Sequence, residues 1–486
     1  MYKRKNKLFF FLVMMALTVL AIGLIDSVSA VDITIGPNTP GGLKKAVESA
    51  KGGETIYLED GVYTGANNRG LVINTSINIQ GKSNNVVIDA QQKDRLFNIK
   101  TSFSNEISVT LKNLKFKNGN ASGEGGAIRI SSFYCRLNII SCTFTNNKAE
   151  NGGAFNGFGA TSISYSSVNN CTFINNTASS LGGAINGASS VDGSTFINNK
   201  AFHGGAIYRT PSVNNCSFRN NKAIPMGIGG AIYIASSVKS CTFINNTAND
   251  EGGATSEVSS VESCIFINNT AKNHGGAISG TPSVKSCTFI NNKANGGGAI
   301  YSIGYGHTMN IISCSFTNNK ANVNGGAVIF ITSGYKVTGF LKIEKSKFKN
   351  NIAGKKYNAI ATVGNVKFTK FDVSVTPKDG NKVAGSYSSN NIADLTIAKI
   401  TKKYNTYTVY IKNIGKKSTG NKFYLGVFDG TKQITRVLVN SLGAGKSTIV
   451  KVLIAKKYEN KLKTFKVDST NRIKESNKKN NLFKVR

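Results

Sequence analysis

Side chains able to do chemistry are sparse where this 486-residue chain is most regular. Between residues 120 and 330 there are seven acids: Glu124, Glu150, Asp192, Asp250, Glu251, Glu257 and Glu262. Glycoside hydrolysis needs two carboxylates held about 5–9.5 Å apart, and a calcium-assisted lyase needs an acidic cluster for its ion. No Asp-Asp, Asn-Thr-Asp or Gly-His-Gly occurs in this stretch. The best cluster is Asp250-Glu251, ahead of a Gly-Gly pair, with Glu257 and Glu262 in the same stretch. A solvated turn accounts for it equally well. Catalysis would need Glu251, Glu257 and another acid in one groove, so the expectation is a non-enzyme with no catalytic, cofactor-binding or metal-ligating residues.

The remaining candidates point the same way. His203 and His274 occupy one repeat position three units apart, hence roughly 14 Å from each other at one strand spacing per unit. They cannot share a metal, and His307 has no acidic or cysteine neighbour in sequence. Gly445-Lys446-Ser447 mimics the end of a phosphate-binding loop, but Asn440 stands where its first glycine belongs. A hairpin turn explains it. Seven of the eight cysteines, Cys142, Cys171, Cys216, Cys241, Cys264, Cys287 and Cys314, lie two residues before a repeated Phe, and Ser194 takes that place once. Such periodicity favours a buried ladder of free thiols over disulfides, although occasional pairing of neighbours stays open. Without Cys-x-x-Cys or Cys-His spacing it does not suggest a metal. Asn74, Asn120, Asn170, Asn175, Asn215, Asn245 and Asn268 head Asn-x-Ser/Thr sequons. Asn170 and Asn215, adjoining ladder cysteines, are expected to be poorly accessible; Asn175, Asn245 and Asn268 are expected on a turn.

What positions these residues is a repeat. Gly-Gly-Ala starts at Gly125, Gly152, Gly182, Gly204, Gly229, Gly252, Gly275, Gly297 and Gly325. Half a period away stands Phe-x-Asn-Asn, at Phe144, Phe173, Phe196, Phe218, Phe243, Phe266, Phe289, Phe316 and Phe348, with a weaker copy at Phe116. Phe243, Phe266 and Phe289 are 23 residues apart. That period is too short for paired-helix repeats, which start at about 33 residues. Units of three short strands and three turns that can bury their apolar faces only against copies of themselves imply a parallel β-helix. Phe, Ile, Ala and Asn would then stack as internal ladders, the Asn amides hydrogen-bonding along the axis. Gly-Gly would serve a corner of positive φ or close backbone approach.

The ends differ from the middle. Lys3, Arg4, Lys5 and Lys7, the apolar run Leu8 to Ile25 and Val28-Ser29-Ala30 form a secretory signal (1–30), with cleavage expected after Ala30. An uncleaved anchor is the alternative, and the one route to a membrane, since no later apolar run reaches spanning length. Residues 31–376 are assigned to the β-helix, with a capping helix at 42–51 whose Leu43, Ala46, Val47 and Ala50 share a face. The regular repeats run from about 116 to 360. Residues 377–391 read as a linker. The last segment, 392–486, alternates as strands near 394–400, 406–413, 422–428, 433–439, 447–454 and 462–467, a small immunoglobulin-like β-sandwich. Of the formal charge of +36, +17 falls in residues 391–486 and only +5 in 120–330. Anionic partners are therefore expected mainly at the C-terminal end.

Two resemblances attach to these residues. The Gly-Gly-Ala-Ile and Phe-x-x-Asn alternation resembles the chlamydial polymorphic membrane protein repeats, though without a C-terminal membrane barrel. "ADLTI … YTVYIKNIGKKSTG … KVDSTNRIKESNKKNN", with Val467-Asp468 leading through Glu475-Ser476-Asn477 to Asn480-Asn481, resembles the CARDB domain. The capping segment followed by "GGETIYLEDGVYTG" resembles the opening of right-handed parallel β-helix proteins. The whole order is similar to adhesin-like proteins of methanogenic archaea. The resemblance implies an extracellular or cell-surface adhesin contacting anionic polysaccharide, cell wall or another cell, with no nucleic acid partner. A structural envelope component is the alternative, and a polysaccharide lyase or glycoside hydrolase the second.

Overall fold

The computed structural model describes residues 32–100, 106–131, 134–157, 165–304, 308–332, 338–354, 359–363, 366–375, 393–415, 418–458, 462–470, 473 and 481–485. The expected signal and linker, His307, and Glu475 to Asn480 lie outside these residues. The chain divides into two compact units, one built mainly from residues up to 364 and the other mainly from 384 onward.

The first unit opens with strand Ile33–Ile35 and helix Gly42–Ser49, which buries Leu43, Ala46 and Val47. The helix stops two residues short of the expected Lys51, because Ala50 is already extended (φ −68°, ψ 132°). At its start, the Leu43 amide donates to Asn68 Oδ1 at 2.9 Å. From Thr55 the chain winds as a parallel β-solenoid of about eleven turns. Parallel pairing already holds in the less regular early coils, where Thr55–Leu58 pairs with Ile77–Gly81 and that strand with Ile107–Lys112.

A regular coil contains four short strands, one more than the repeat suggests. In one coil these are Ile278–Ser279, Ser283–Lys285, Thr288–Ile290 and Lys293–Gly296. The unanticipated strand follows Asn-Asn. It is two to five residues long and buries one Ala in every copy but the last, and its copies join in a separate nine-stranded sheet. Two residues are too few to show an alternating pattern in sequence.

Stacking fills the interior. Phe116 to Phe348 form ten consecutive rungs with ring centroids 4.7–4.9 Å apart, and from Phe144 onward neighbouring planes lie within 6°. That spacing is the interstrand distance itself, so the strand register sets the ring offset. The second Asn of each motif runs alongside, fully buried. Asn246 Nδ2 donates to Asn269 Oδ1 and to the Phe218 carbonyl, and its backbone amide also donates to Asn269 Oδ1, all at 3.0 Å. The pattern repeats from Asn147 to Asn319, ending on Asn351. The first Asn of each motif turns the corner at a positive φ of 52–57°.

The two glycines of the other corner are needed for different reasons. Gly275 has φ +64°, a region costing other residues ~1–2 kcal/mol. At Gly276 a Cβ would collide with the carbonyl of Gly298 in the next coil.

The second unit holds two antiparallel sheets. Leu395–Lys403, Thr406–Asn413 and Ser447–Leu453 form one; Lys432–Val439, Phe423–Asp429, Lys463–Lys466 and Leu482–Val485 form the other. Leu395, Val409, Ile411 and Val452 from the first pack with Phe423, Leu425, Val427 and Phe465 from the second in one core. Lys446 lies in a turn closed by its amide onto the Gly443 carbonyl (3.1 Å) and leads directly into a strand, as a hairpin requires and a phosphate loop does not.

Candidate functional site

Parallel register carries each outward-facing position up the solenoid as a lane. Three lanes meet beside the Gly-Gly corner. The residue before Gly-Gly gives Leu181, His203, Ile228, Glu251, His274 and Gly296 in successive coils. The residue after the buried Ile or Thr gives Tyr208, Tyr233, Ser256, Ser279 and Tyr301, paired in register. Their neighbours Ile207, Ile232, Thr255, Ile278 and Ile300 are fully buried inside, so alternation turns this lane to the opposite face of the strands, where Tyr208 and Tyr233 are half-buried and Ser256, Ser279 and Tyr301 are covered by their surroundings. The next position carries Arg209, Ile234, Glu257, Gly280 and Ser302.

Two serines between tyrosines leave a notch. A cavity of about 400 Å³ opens there, floored by Ser256 and Ser279 and flanked by Glu251 and Ile228 on one side and Glu257, Gly280 and Pro282 on the other. Tyr301, Ile303, Met309 and Phe330 close one end with apolar surface. Glu251 is fixed: Oε1 lies 3.1 Å from His274 Nδ1, and Oε2 accepts from Ser279 Oγ at 2.8 Å. The His274 ring in turn stacks on Tyr301, centroids 4.2 Å apart and 17° from parallel. The His274 hydrogen bond holds the Glu251 carboxyl below the usual range, against the opposing effect of burial. Glu257 Oε1 accepts from Tyr233 Oη at 3.4 Å. Burial, with the Glu257 charge beside it, pushes the Tyr233 phenol up to about 12. Glu257 sits at φ +52°, where Gly280 stands one coil later.

The four acids expected as a cluster are therefore divided. Glu251 and Glu257 share the groove. Asp250 instead accepts from Asn273 Nδ2 at 2.8 Å, and Glu262 pairs with Lys285 (3.2 Å) and Lys239 (3.7 Å). Among the described residues, no third acid lines the cavity. His203 and His274 do stand three coils apart; His203 Nδ1 accepts the Ile228 amide at 3.2 Å. The Glu251–His274 pair was missed by sequence reasoning, which treated the acids and histidines separately. The signal existed: both residues directly precede Gly-Gly, one period apart.

The arrangement suits hydrogen bonding better than acid catalysis. A general acid works with a raised pKa, and Glu251 is held low. Among the described residues, no group of three or more His, Cys, Asp or Glu could hold a metal ion, and no helix is long and apolar enough to cross a membrane. All eight cysteines are free and buried. The expectation for two sequons needs correcting: Asn170 and Asn215 are exposed, as are the other five. Both are left-handed corner residues (φ 54° and 52°), which turns the side chain outward while the neighbouring cysteine points in.

Comparisons with known proteins fit the two units. The model of the chlamydial polymorphic membrane protein repeat matches residues 170–188, 215–235, 240–256, 263–281, 286–303 and 313–328. The CARDB model matches residues 392–485. No curated protein matches the chain. Among solved structures, the A-module of a mannuronan C-5 epimerase from Azotobacter vinelandii aligns at 13% identity and a TM-score of 0.32, covering 67% of this chain and 93% of that one.

Proposed function

We propose that the chain is a secreted or cell-surface adhesin-like protein. The observation that carries this reading is that the repeated Phe, Asn, Cys and Gly are absorbed by stacking, leaving a rigid, extended outer face. Polymorphic membrane protein repeats and a CARDB match on the same chain support it. The order of these parts supports likeness to the adhesin-like proteins of methanogenic archaea. A right-handed solenoid, the helix Gly42–Ser49 as its cap, an immunoglobulin-like C-terminal unit and export through residues 1–30 belong to the same reading. The +17 carried by residues 391–486 favours anionic polysaccharide or cell wall as that unit's partner.

Binding of the purified protein to a glycan and cell-wall array at low and high salt tests it. Retention on at least one polysaccharide or wall surface is expected. Failure to bind any of them, with the protein folded, would sink the reading in favour of a structural envelope component. A polysaccharide-active enzyme has one observation in its favour, the shared groove of Glu251 and Glu257. Product release from uronate or neutral glycans would establish it; none is expected.

A further inference from the structure

We infer that the notch at Ser256 and Ser279 is a binding site for an uncharged pyranose residue of a glycan. The inference rests on the adhesin reading and gives it a specific site on the solenoid, separate in chemistry from the basic C-terminal unit.

Three observations converge. First, the cavity arises from the absence of two large side chains in a lane where Tyr208, Tyr233 and Tyr301 occupy equivalent positions. Stacking alone would be served by continuing the tyrosines; the two serines open a space about two coil rises tall. At about 400 Å³ it falls in the range of small-ligand sites, roughly 300–1,000 Å³. Second, its walls are of two kinds. Ile228, Pro282 and Ile303, which keep solvent exposure, offer apolar surface for the C–H face of a sugar ring, and Glu251 and Glu257 offer carboxylate oxygens for its hydroxyls. Hydrogen bonds to a charged acceptor are the stronger class, and they fix orientation. Third, Glu251 is held in place before any ligand arrives, by His274 on one oxygen and Ser279 on the other, with His274 braced on Tyr301. Each carboxylate oxygen has two lone pairs, so both retain acceptor capacity.

Charge selects the ligand class. Two carboxylates in one partly enclosed groove disfavour a uronate or sulfated sugar, the ligands that the basic C-terminal unit attracts. A neutral hexose or N-acetylhexosamine can donate hydroxyl protons to both glutamates and present an apolar face to Ile228 and Ile303.

The test uses the full chain and fluorescently labelled cellohexaose, mannohexaose, galactohexaose and N-acetylchitohexaose, with polygalacturonate as the anionic probe. Ser256→Tyr extends the Tyr208–Tyr233 run by one coil, so it fills the notch while respecting the stack. Glu257→Gln removes one charge and leaves the shape. Binding of at least one neutral oligosaccharide is expected to persist in high salt, to fall at least tenfold in Ser256→Tyr, and to weaken severalfold in Glu257→Gln. Polygalacturonate binding should be unchanged in both. If no neutral probe binds while polygalacturonate still does, the notch assignment is overturned and the adhesin reading stands. If neither binds, both fall. Neutral binding that survives Ser256→Tyr places the sugar elsewhere and overturns the assignment. Preference for a fully deacetylated, cationic chitohexaose, lost in salt, overturns the neutral class.

Discussion

Eight thiols on the cell-surface or extracellular protein proposed above would ordinarily pair, yet each ladder sulfur here is bound into the coil stack. The amide of Cys241 donates to Cys264 Sγ at 3.4 Å, and Cys264 Sγ–H donates to the Glu262 carbonyl at 3.1 Å. Burial pushes the Cys135 thiol from 9.0 up to about 12, and hydrogen bonding with Cys264 together with burial does the same for Cys287. A thiol whose pKa rises on folding stabilises the protein below its unfolded value of 9.0 and loses that contribution as pH climbs toward 12. Stability should therefore fall between about pH 9 and pH 12, read as a lowered denaturant midpoint, and a Cys287→Ser variant should fall less steeply. Native protein should react with few or no equivalents of a thiol reagent at neutral pH, and with eight after unfolding. Rapid titration of several thiols in the folded state would refute the ladder. The neighbouring Asn ladder is more demanding. Asn246→Asp has almost the same shape but loses both Nδ2 donors, facing two buried acceptors with a carboxylate. A cost of ~3 kcal/mol or more is expected by chemical denaturation, since each orphaned buried acceptor costs about 1–3 kcal/mol.

Coil by coil, the same physics decides what could be seen in advance. Phe, the second Asn, Cys and Gly-Gly each recur because a parallel register places every copy against the next, and register is legible as period. Removing one ring at Phe266, fully buried between Phe243 and Phe289, should cost about 3–5 kcal/mol. Gly276→Ala should cost at least as much although it adds one carbon, because the carbonyl of Gly298 and the backbone of Lys293 must shift. Denaturation of both variants checks this, and a Gly276→Ala midpoint equal to wild type would remove the close-approach explanation. What the sequence hid follows from the same rule. The fourth strand is too short to carry a pattern, as in Lys200–Ala201 and Thr247–Ala248. The notch was invisible because it is an absence: Ser256 and Ser279 look unremarkable until register sets them beside Tyr233 and Tyr301. The Glu251–His274 contact is one period long, whereas chemistry is usually sought among residues close in sequence.

Across the whole chain, charge and shape complementarity fall on different parts. The segment 120–330 carries only +5, and its groove presents two carboxylates; residues 391–486 carry +17. In the C-terminal unit Lys399, Lys403, Lys412 and Lys451 are exposed on the strands of one sheet, and Leu395–Lys403, Thr406–Asn413 and Ser447–Leu453 pair directly. Attraction of this kind is long-ranged and screened over about 8–10 Å at physiological ionic strength. Retention on an anionic polysaccharide should therefore weaken steeply with salt. Replacing all four lysines by Glu shifts the net charge by eight units, from +36 to +28, and should bring elution from a polygalacturonate column well below the wild-type salt concentration. Each is an exposed side chain, so stability should change little. Unchanged elution would move the anionic contact away from this sheet. Retention that is insensitive to salt would show that a built site, rather than bulk charge, holds the polymer.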